Sequence, residues 1–390
     1  MLVFTHRWLA LLLGLALLAV VISGVVLLYE QEIDRVVHPG LYDTTRSDDP
    51  LTHSEAVAAL RRAEPSFKPS DVVDSHGVYL IYDVDYERQA YVDPGSGRVL
   101  GIDDPRDGVM GLMYNLHLCG LSCKGYAGYI PFLEKPAHIL GNEELTVGGL
   151  VLAVTAVLLL FLAATGLVTW WPGIKRFARG LRVRTKKGSY AFNYDLHNVV
   201  GLAAIPFLVM WGFTGAHFEL KQVSELWYAV LPGSAGEERE VLSKPQPGQW
   251  VSMSEATAIV QRKVPDGRIV SMSVPDMKAK DSTFFSYLAV DNDPYDHGVY
   301  PGNVGVTVDR YSGEATITYP SPPNPELSQQ IVDDWFYPLH AGTFVNGWWR
   351  VVWLVIGLTP LVLAVTGVVT WLIRRRKRRR KRGRPKPAEA

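Results

Sequence analysis

The chain contains very little cysteine, which restricts the covalent chemistry open to it. Only Cys119 and Cys123 occur among the 390 residues. Three residues separate them and His117 precedes them, so they do not form the Cys-x-x-Cys-His motif that attaches c-type haem. For a pair outside the cytoplasm we expect a structural disulfide, and a redox-active pair beside His117 is the alternative.

Sequence motifs for nucleotide binding and for nucleophilic catalysis are missing as well. The chain has no phosphate-binding loop, no dinucleotide fingerprint and no recognisable Ser/His/Asp arrangement. These absences exclude a flavin or nicotinamide domain of the common kinds. Any redox chemistry in this chain would therefore need electrons from another protein or from a membrane quinol.

Net charge is absent too, because 39 Lys and Arg balance 39 Asp and Glu. This balance is typical of an ordinary soluble protein, but it conceals a separation along the chain. Residues 175–187 hold seven bases and no acid, and residues 374–386 hold eleven bases. Residues 29–148 hold twenty acids against ten bases, and residues 218–348 hold seventeen against nine.

Four apolar runs have the length of about 20 residues that a helix needs to cross a bilayer. They are Leu9–Leu28, Leu150–Val168, Val199–Phe218 and Val351–Ile373. The first is too long for a cleavable signal and lacks a small-residue cleavage site, so we expect it to remain as an anchor. Because basic segments stay in the cytoplasm, both termini and the middle connection are predicted to be cytoplasmic. The basic tail is explained by topology and anionic lipid, without nucleic acid.

The predicted organisation therefore alternates spans with connecting segments. It consists of transmembrane helix 1 (1–28), outside domain 1 with a His/Cys loop (29–144), transmembrane helix 2 (145–172), a cytoplasmic basic loop (173–192), transmembrane helix 3 (193–218), outside domain 2 (219–346), transmembrane helix 4 (347–373) and a cytoplasmic basic tail (374–390).

The two halves of the chain match each other at an offset near 200 residues. The matching elements, in the same order in both halves, are His6 and Gly24 with His197 and Gly215, Ser54-Glu55-Ala56 with Ser254-Glu255-Ala256, Val92-Asp93 and Ser96-Gly97 with Val308-Asp309 and Ser312-Gly313, and Thr165-Gly166 and Trp170 with Thr366-Gly367 and Trp371. Since each half crosses the membrane twice, the copies form a parallel repeat with a shared interface.

Each outside domain is predicted to contain one helix followed by strands. In the first, Ser54 is expected to cap a helix over Glu55–Arg62. The remaining predicted elements are strands Val78–Tyr82, Gln89–Val92 and Arg98–Gly101 in the first domain, and helix Ser254–Lys263 with strands Phe284–Val290 and Gly305–Val308 in the second.

These motifs resemble a known family. The sequence Val-Asp-Pro-x-Ser-Gly-x-Val at residues 92–99 is similar to PepSY domains, and spans that start with His and end in Thr-Gly-x-x-x-Trp resemble the PepSY-associated transmembrane family. The resemblance covers His6 to Trp371. It implies an α-helical membrane protein with four transmembrane helices in a parallel internal duplication and two periplasmic α+β PepSY-like domains. It also implies a multi-pass protein of the bacterial inner membrane, related to ferric-siderophore reductases of the FoxB type, which bind haem.

Histidines near the span ends are the candidate haem ligands, because neutral imidazole is a common axial ligand of haem iron. His6 and His197 lie at the predicted cytoplasmic ends of spans 1 and 3, and His117 and His340 lie toward the outside. We therefore expect two haems b, one per pair. His138 and His217 rank lower: His138 competes with His117 through a Pro-x-His match to His340, and His217 points away from the His197 face.

Glycines add to this pattern. Gly24 and Gly215 each lie eighteen residues after a histidine, which returns a helix to the same face. We expect them to make room for a flat macrocycle near the opposite leaflet, although close helix packing is an alternative explanation.

The predicted function is electron transfer through haem from a cytoplasmic reductase or a membrane quinol to a periplasmic ferric siderophore, with release of ferrous iron. Two alternatives remain open. The PepSY-like domains would instead sense or bind an outside ligand, with the spans as anchors, or the duplicated bundle would act as a siderophore permease.

Overall fold

The computed structural model describes residues 1–382 except 76, 140, 143, 174, 176, 233–240, 277, 291–303, 320–325 and 344–347. Its helices are α1 (Leu2–Leu27), α2 (Glu30–Val37), α3 (His53–Ala63), α4 (Gly108–Leu118), α5 (Val147–Trp170), α6 (Phe177–Gly180), α7 (Ser189–Glu219), α8 (Lys221–Val230), α9 (Met253–Lys263), α10 (Leu327–Gln330), α11 (Phe336–Ala341), α12 (Trp349–Gly357) and α13 (Thr359–Arg382). Its strands are β1 (Pro69–Ser75), β2 (Val78–Asp83), β3 (Gln89–Val92), β4 (Val99–Asp103), β5 (Arg268–Ser273), β6 (Phe284–Ala289), β7 (Val304–Val308) and β8 (Ala315–Tyr319).

The four predicted spans are confirmed as long apolar helices. They are α1, α5, α7 and the segment of α12 and α13 over residues 349–379. Helix α7 begins at Ser189, ten residues before the apolar run predicted from Val199. Its first turns are polar and belong to the same continuous helix. The last span is interrupted at Leu358, directly before Thr359 and Pro360, where proline supplies no backbone N–H to the helix. The described residues therefore contain four helices that are long and apolar enough to cross a membrane.

The four long helices form a closed ring. Helix α1 packs against α5 and α13, and α7 packs against the same two helices. Leucine and alanine side chains fill the middle of this bundle, among them Leu17, Leu158, Ala163, Ala204 and Leu208. Two short helices lie against the bundle, α4 along α1 and α11 along α7.

The eight strands of the described residues join in an antiparallel sheet. Their order is β4-β3-β2-β1-β5-β6-β7-β8, so the strands of the first half occupy one side and those of the second half the other. The two sets meet where β1 pairs with β5, with Val72 opposite Met272. The sequence predicts two separate domains and does not predict β1, β5 or β8. The first of these, Pro-Ser-Asp-Val-Val-Asp-Ser, is too polar to be recognised as a strand.

The largest hydrophobic core of the sheet is shared by both halves. Helices α3 and α9 contact each other and cover the same face of the sheet. Fully or nearly fully buried side chains from both halves form this core: Val57, Leu60, Val72, Ile81, Val260, Met272, Leu288, Val306 and Val308. Because the core crosses the β1–β5 seam, the two sets of strands stabilise each other.

Reciprocal capping fixes where α3 and α9 begin. The N-cap of α3 is Thr52, and not the expected Ser54: Thr52 Oγ1 accepts from the backbone N–H of Glu55, and the Glu55 carboxylate accepts from the backbone N–H of Thr52. Ser252 and Glu255 cap α9 in the same way. The sequence Ser/Thr-x-x-Glu places the cap three residues before the glutamate, which rules out Ser54.

A buried histidine makes the stability of the sheet depend on pH. His53 is 6% exposed, and its ring lies 4.9 Å from the Tyr79 ring with the two planes tilted by 51°. Burial is the main cause that lowers the pKa of His53 from 6.5 to about 4. The folded state therefore favours the neutral His53 ring. The contribution of this neutral ring to the free energy of unfolding is complete above pH 6.5 and is lost as the pH falls toward 4.

We expect His53→Phe to remove this dependence. Between pH 7 and pH 4, wild type should lose about 3 kcal/mol of unfolding free energy relative to the variant, since each pKa unit is about 1.4 kcal/mol. Denaturant unfolding of the sheet, followed by far-ultraviolet circular dichroism, measures the difference. His138→Gln, at an exposed position, is the control. Parallel pH curves for wild type and His53→Phe would show that His53 does not set this dependence.

Candidate functional site

Two pairs of histidines face each other between the helices. His6 of α1 and His197 of α7 form the first pair, with ring centroids 6.5 Å apart and planes at 83°. His117 of α4 and His340 of α11 form the second pair, with centroids 6.0 Å apart and planes at 48°. In each pair one histidine comes from each half of the chain.

Each of these four rings is held through its Nδ1 atom. In the first pair, His6 Nδ1 lies 2.8 Å from Thr165 Oγ1, and His197 Nδ1 lies 3.0 Å from the Leu363 carbonyl and 3.1 Å from Thr366 Oγ1. In the second pair, His340 Nδ1 lies 2.8 Å from Thr214 Oγ1, and His117 Nδ1 lies 2.8 Å from the Val20 carbonyl.

The partners decide which ring nitrogen carries the proton. A carbonyl oxygen only accepts, so His117 and His197 donate from Nδ1 to Val20 and Leu363. The threonine hydroxyls donate to carbonyls in their own helices, as Thr165 does to Phe161, and therefore accept from the histidine. All four rings are thus protonated at Nδ1, which leaves the lone pair on Nε2 as the available ligand atom.

A serine or threonine followed by glycine faces every ring. A methyl group added to each glycine would stand close to Cε1 of the facing ring. At the second pair it would lie 2.5 Å from His117 for Gly24 and 3.7 Å from His340 for Gly215. At the first pair it would lie 3.7 Å from His6 for Gly166 and 3.4 Å from His197 for Gly367. Gly24 and Gly215 thus lie directly against the rings of the second pair, at the opposite end of the helices from His6 and His197. The dipeptide Ser/Thr-Gly is the sequence signal that locates the ring partners.

The two pairs lie near opposite ends of the bundle. Ser23 follows His6 by seventeen residues, and Thr214 follows His197 by seventeen residues. At 1.5 Å per residue the pairs are about 26 Å apart along the helix axes. The first pair is at the end where α1 begins, and the second pair is at the end where the chain leaves for the sheet.

A cavity of about 480 Å³ adjoins the first pair. It is lined by all four spans and extends from Val3 to Leu18 along α1, which is about 22 Å. Its volume lies within the range of about 300–1,000 Å³ typical of sites for small molecules and cofactors. The sequence did not reveal this cavity, because it arises from the packing of helices from both halves.

The remaining candidate histidines lie elsewhere. His138 is exposed on the loop before α5, with a φ of +49°, and the structure places His117 opposite His340 instead. His217 Nδ1 lies 2.8 Å from Ser224 Oγ, and its ring contacts Phe336 at 4.9 Å. Neither residue contributes a ring to the two pairs.

The segment that carries His117 is tightly held. The expected disulfide joins Cys119 and Cys123. The Asn115 side chain is fully buried, accepts from the Cys123 N–H at 3.0 Å and donates to the Ala127 carbonyl at 3.1 Å. These bonds tie the end of α4 to the loop behind it and fix the position of His117 against α1.

The segment that carries His340 is anchored by tryptophans. The indole N–H groups of Trp211 and Trp353 both donate to the His340 carbonyl, at 3.0 Å and 3.3 Å. The Phe218 ring packs against the imidazole at 5.3 Å. His340 therefore has its backbone, its Nδ1 atom and one ring face all fixed by neighbouring side chains.

The architecture defines the class of protein, a membrane protein with four spans and one antiparallel sheet. The chain belongs to the family described as the PepSY-associated TM region, which matches residues 4–374. This confirms the family resemblance seen in the sequence over almost its entire length. A comparison with curated proteins gave no match.

Proposed function

We propose that this protein is a haem-containing oxidoreductase of the bacterial inner membrane that passes electrons outward and reduces ferric siderophores in the periplasm, releasing ferrous iron. The observation that carries the proposal is the presence of two imidazole pairs, each with Nδ1 fixed by a hydrogen bond and Nε2 available to a metal. A hydrogen bond from the ring nitrogen that does not bind the metal orients metal-binding histidines in general.

The spacing of the rings fits one iron atom between each pair. An imidazole nitrogen binds a transition metal at about 2 Å, and the ring centre lies about 1.1 Å farther, so two opposed rings have centres about 6 Å apart. The observed separations are 6.5 Å and 6.0 Å. Among the described residues no cluster of three or more His, Cys, Asp or Glu could hold a metal ion. A pair of imidazoles would hold the iron of a haem without further ligands from the chain.

The charge distribution supports an orientation. The connection at residues 175–187 and the tail at residues 374–386 carry eighteen bases and no acid, which favours the cytoplasm for both. The first pair then lies near the cytoplasm, and the second pair near the periplasm together with the sheet. The shared Ser/Thr-Gly contacts and the matching halves of the sheet support an internal duplication with the parallel orientation.

Bound haem would supply reversible one-electron chemistry, and the chain would bind and orient the haem. The paired histidines would hold the haem iron through neutral imidazole nitrogens, and the apolar side chains at the deep end of the cavity would pack against the macrocycle. The second pair lies beside the domain that meets the ferric siderophore. Ferric iron takes up one electron there and becomes ferrous, and the hard oxygen donors of a hydroxamate hold ferrous iron far less strongly. The electrons come from a cytoplasmic reductase or from a membrane quinol.

The function is tested by mixing the dithionite-reduced protein, freed of excess reductant, with a ferric hydroxamate siderophore without oxygen. We expect the reduced Soret band to return to its oxidised position, with one ferrous ion trapped by ferrozine per electron removed. The gallium complex of the same siderophore has the same shape but accepts no electron, so it should leave the spectrum unchanged. An unchanged spectrum with the ferric complex would remove this substrate class.

A further inference from the structure

The cavity beside the first pair has a polar end and an apolar end. Its polar lining residues all lie near the start of α1, namely His6, Arg7, Thr169, Trp170, Tyr194, His197, Asn198, Thr370, Trp371 and Arg374. Farther in, the lining is apolar, with Leu17, Leu159 and Leu208 at the deep end. A ligand that fits this cavity is flat, mostly apolar and polar along one edge.

The two cationic residues of the lining lie on the same side of the site. Arg7 comes from α1 and Arg374 from α13, which are neighbouring helices. The corresponding positions of the other half are neutral: Asn198 follows His197 as Arg7 follows His6, and Gly173 follows Trp170 by three residues as Arg374 follows Trp371. The two histidines of the site occupy equivalent positions in the two halves, whereas neither arginine has a basic equivalent in the other half.

Arg7 has unused hydrogen-bonding capacity in this place. Its Nε atom is buried without a hydrogen-bond partner. Its guanidinium packs against the rings of Phe4 and Trp8, at 5.6 Å and 5.8 Å, and the Arg374 guanidinium lies over Tyr190 at 5.6 Å. Aromatic contacts orient both groups but do not use their N–H donors, which are suited to carboxylates.

We propose that Arg7 and Arg374 bind the propionate carboxylates of the haem at the first pair. The propionate edge then lies on the α1–α13 side of the cytoplasmic end, and the apolar edge lies toward Leu17 and Leu208. This inference rests on the proposed haem function. The arginines are positioning residues, because they give a single orientation to a macrocycle that the paired histidines alone would accept in several.

The test compares haemin with its propionate dimethyl ester, which keeps the iron and the ring but lacks both carboxylates. Each is titrated into full-length haem-free protein carrying His340→Ala, so that only the first pair is complete. With Arg7 and Arg374 present, haemin should bind about 100-fold more tightly than the ester, about tenfold for each charge-assisted contact. In Arg7→Gln/Arg374→Gln the two ligands should bind about equally, and lysine at both positions should restore part of the preference.

Arg375→Gln is the matched control, because it removes one positive charge from α13, the helix that carries Arg374. The Arg375 guanidinium lies over the Trp371 ring at 5.2 Å. It should keep the full preference for haemin. Ester binding by the glutamine variant reports whether that variant folds. An unchanged preference in Arg7→Gln/Arg374→Gln, or an equal loss of both ligands, would overturn the propionate assignment alone. Failure of the unsubstituted arginine protein to bind either ligand would overturn the haem function as well.

Discussion

Replacing His197 or His340 by alanine should remove one haem and leave the other in place. The two pairs lie about 26 Å apart and share no ligand, so the loss of one ring leaves the other pair complete. The haem content per chain should fall by about half in each single variant and to nearly zero in the double variant. The pyridine haemochrome assay measures this content, and the Soret band shows whether the remaining haem is unaltered.

His138→Ala and His217→Ala are the matched controls for this experiment. His138 is exposed on a loop, and His217 Nδ1 lies 2.8 Å from Ser224 Oγ. Both variants should keep the full haem content. Loss of haem from either control, together with retention in His197→Ala, would show that the pairs are wrongly assigned.

Gly24→Ala should selectively weaken the second haem site. The added methyl group would stand 2.5 Å from His117 Cε1, which is closer than real carbon atoms approach. The ring cannot easily yield, because its Nδ1 is bonded to Val20 in the same helix as Gly24. Overpacking of this kind costs about 1–3 kcal/mol, so we expect haem affinity at this site to fall by about 5- to 150-fold.

Gly215→Ala provides the comparison at the same pair of histidines. Its methyl group would lie 3.7 Å from His340 Cε1, which is an ordinary contact, so the affinity should stay within about twofold of wild type. Haemin titration of protein carrying His197→Ala isolates the second site for both variants. Equal losses in the two glycine variants would contradict the described packing of His117 against α1.

Local properties of the sequence were sufficient to predict the spans and the candidate histidines. The length of an apolar run is visible without knowing its neighbours, and so is the excess of bases in residues 175–187. His6 and His197 were identified as a pair because the two halves match in order. Leu116-His117 and Leu339-His340 share a Leu-His motif with a tyrosine three residues before each histidine, which favours His117 over His138. The structure places His117 opposite His340.

Pairing across long distances could not be predicted in this way. The contact between β1 and β5 joins residues about 200 positions apart, and nothing in either strand specifies the other. The docking of α4 on α1 likewise depends on the complete fold. The asymmetric placement of Arg7 and Arg374 became meaningful only when the packing showed both residues in one cavity.

The partners of the histidines were partly visible in advance. Thr165-Gly166 and Thr366-Gly367 were recognised as repeated motifs, but their contact with His6 and His197 was not predicted. Ser23-Gly24 and Thr214-Gly215 follow the same pattern, with seventeen residues from histidine to hydroxyl in both halves. A helical wheel shows which residues share a face, but it cannot show which neighbouring helix that face meets.

The most direct test of the central claim is the number and spin state of haems in the wild-type protein. Full-length protein purified from haem-replete cells should contain two haems b per chain. Both should give the low-spin electron paramagnetic resonance signal of iron with two imidazole ligands. A colourless protein, or one whose haem is high-spin with a single protein ligand, would contradict the account and favour a sensing or binding role for the PepSY-like region.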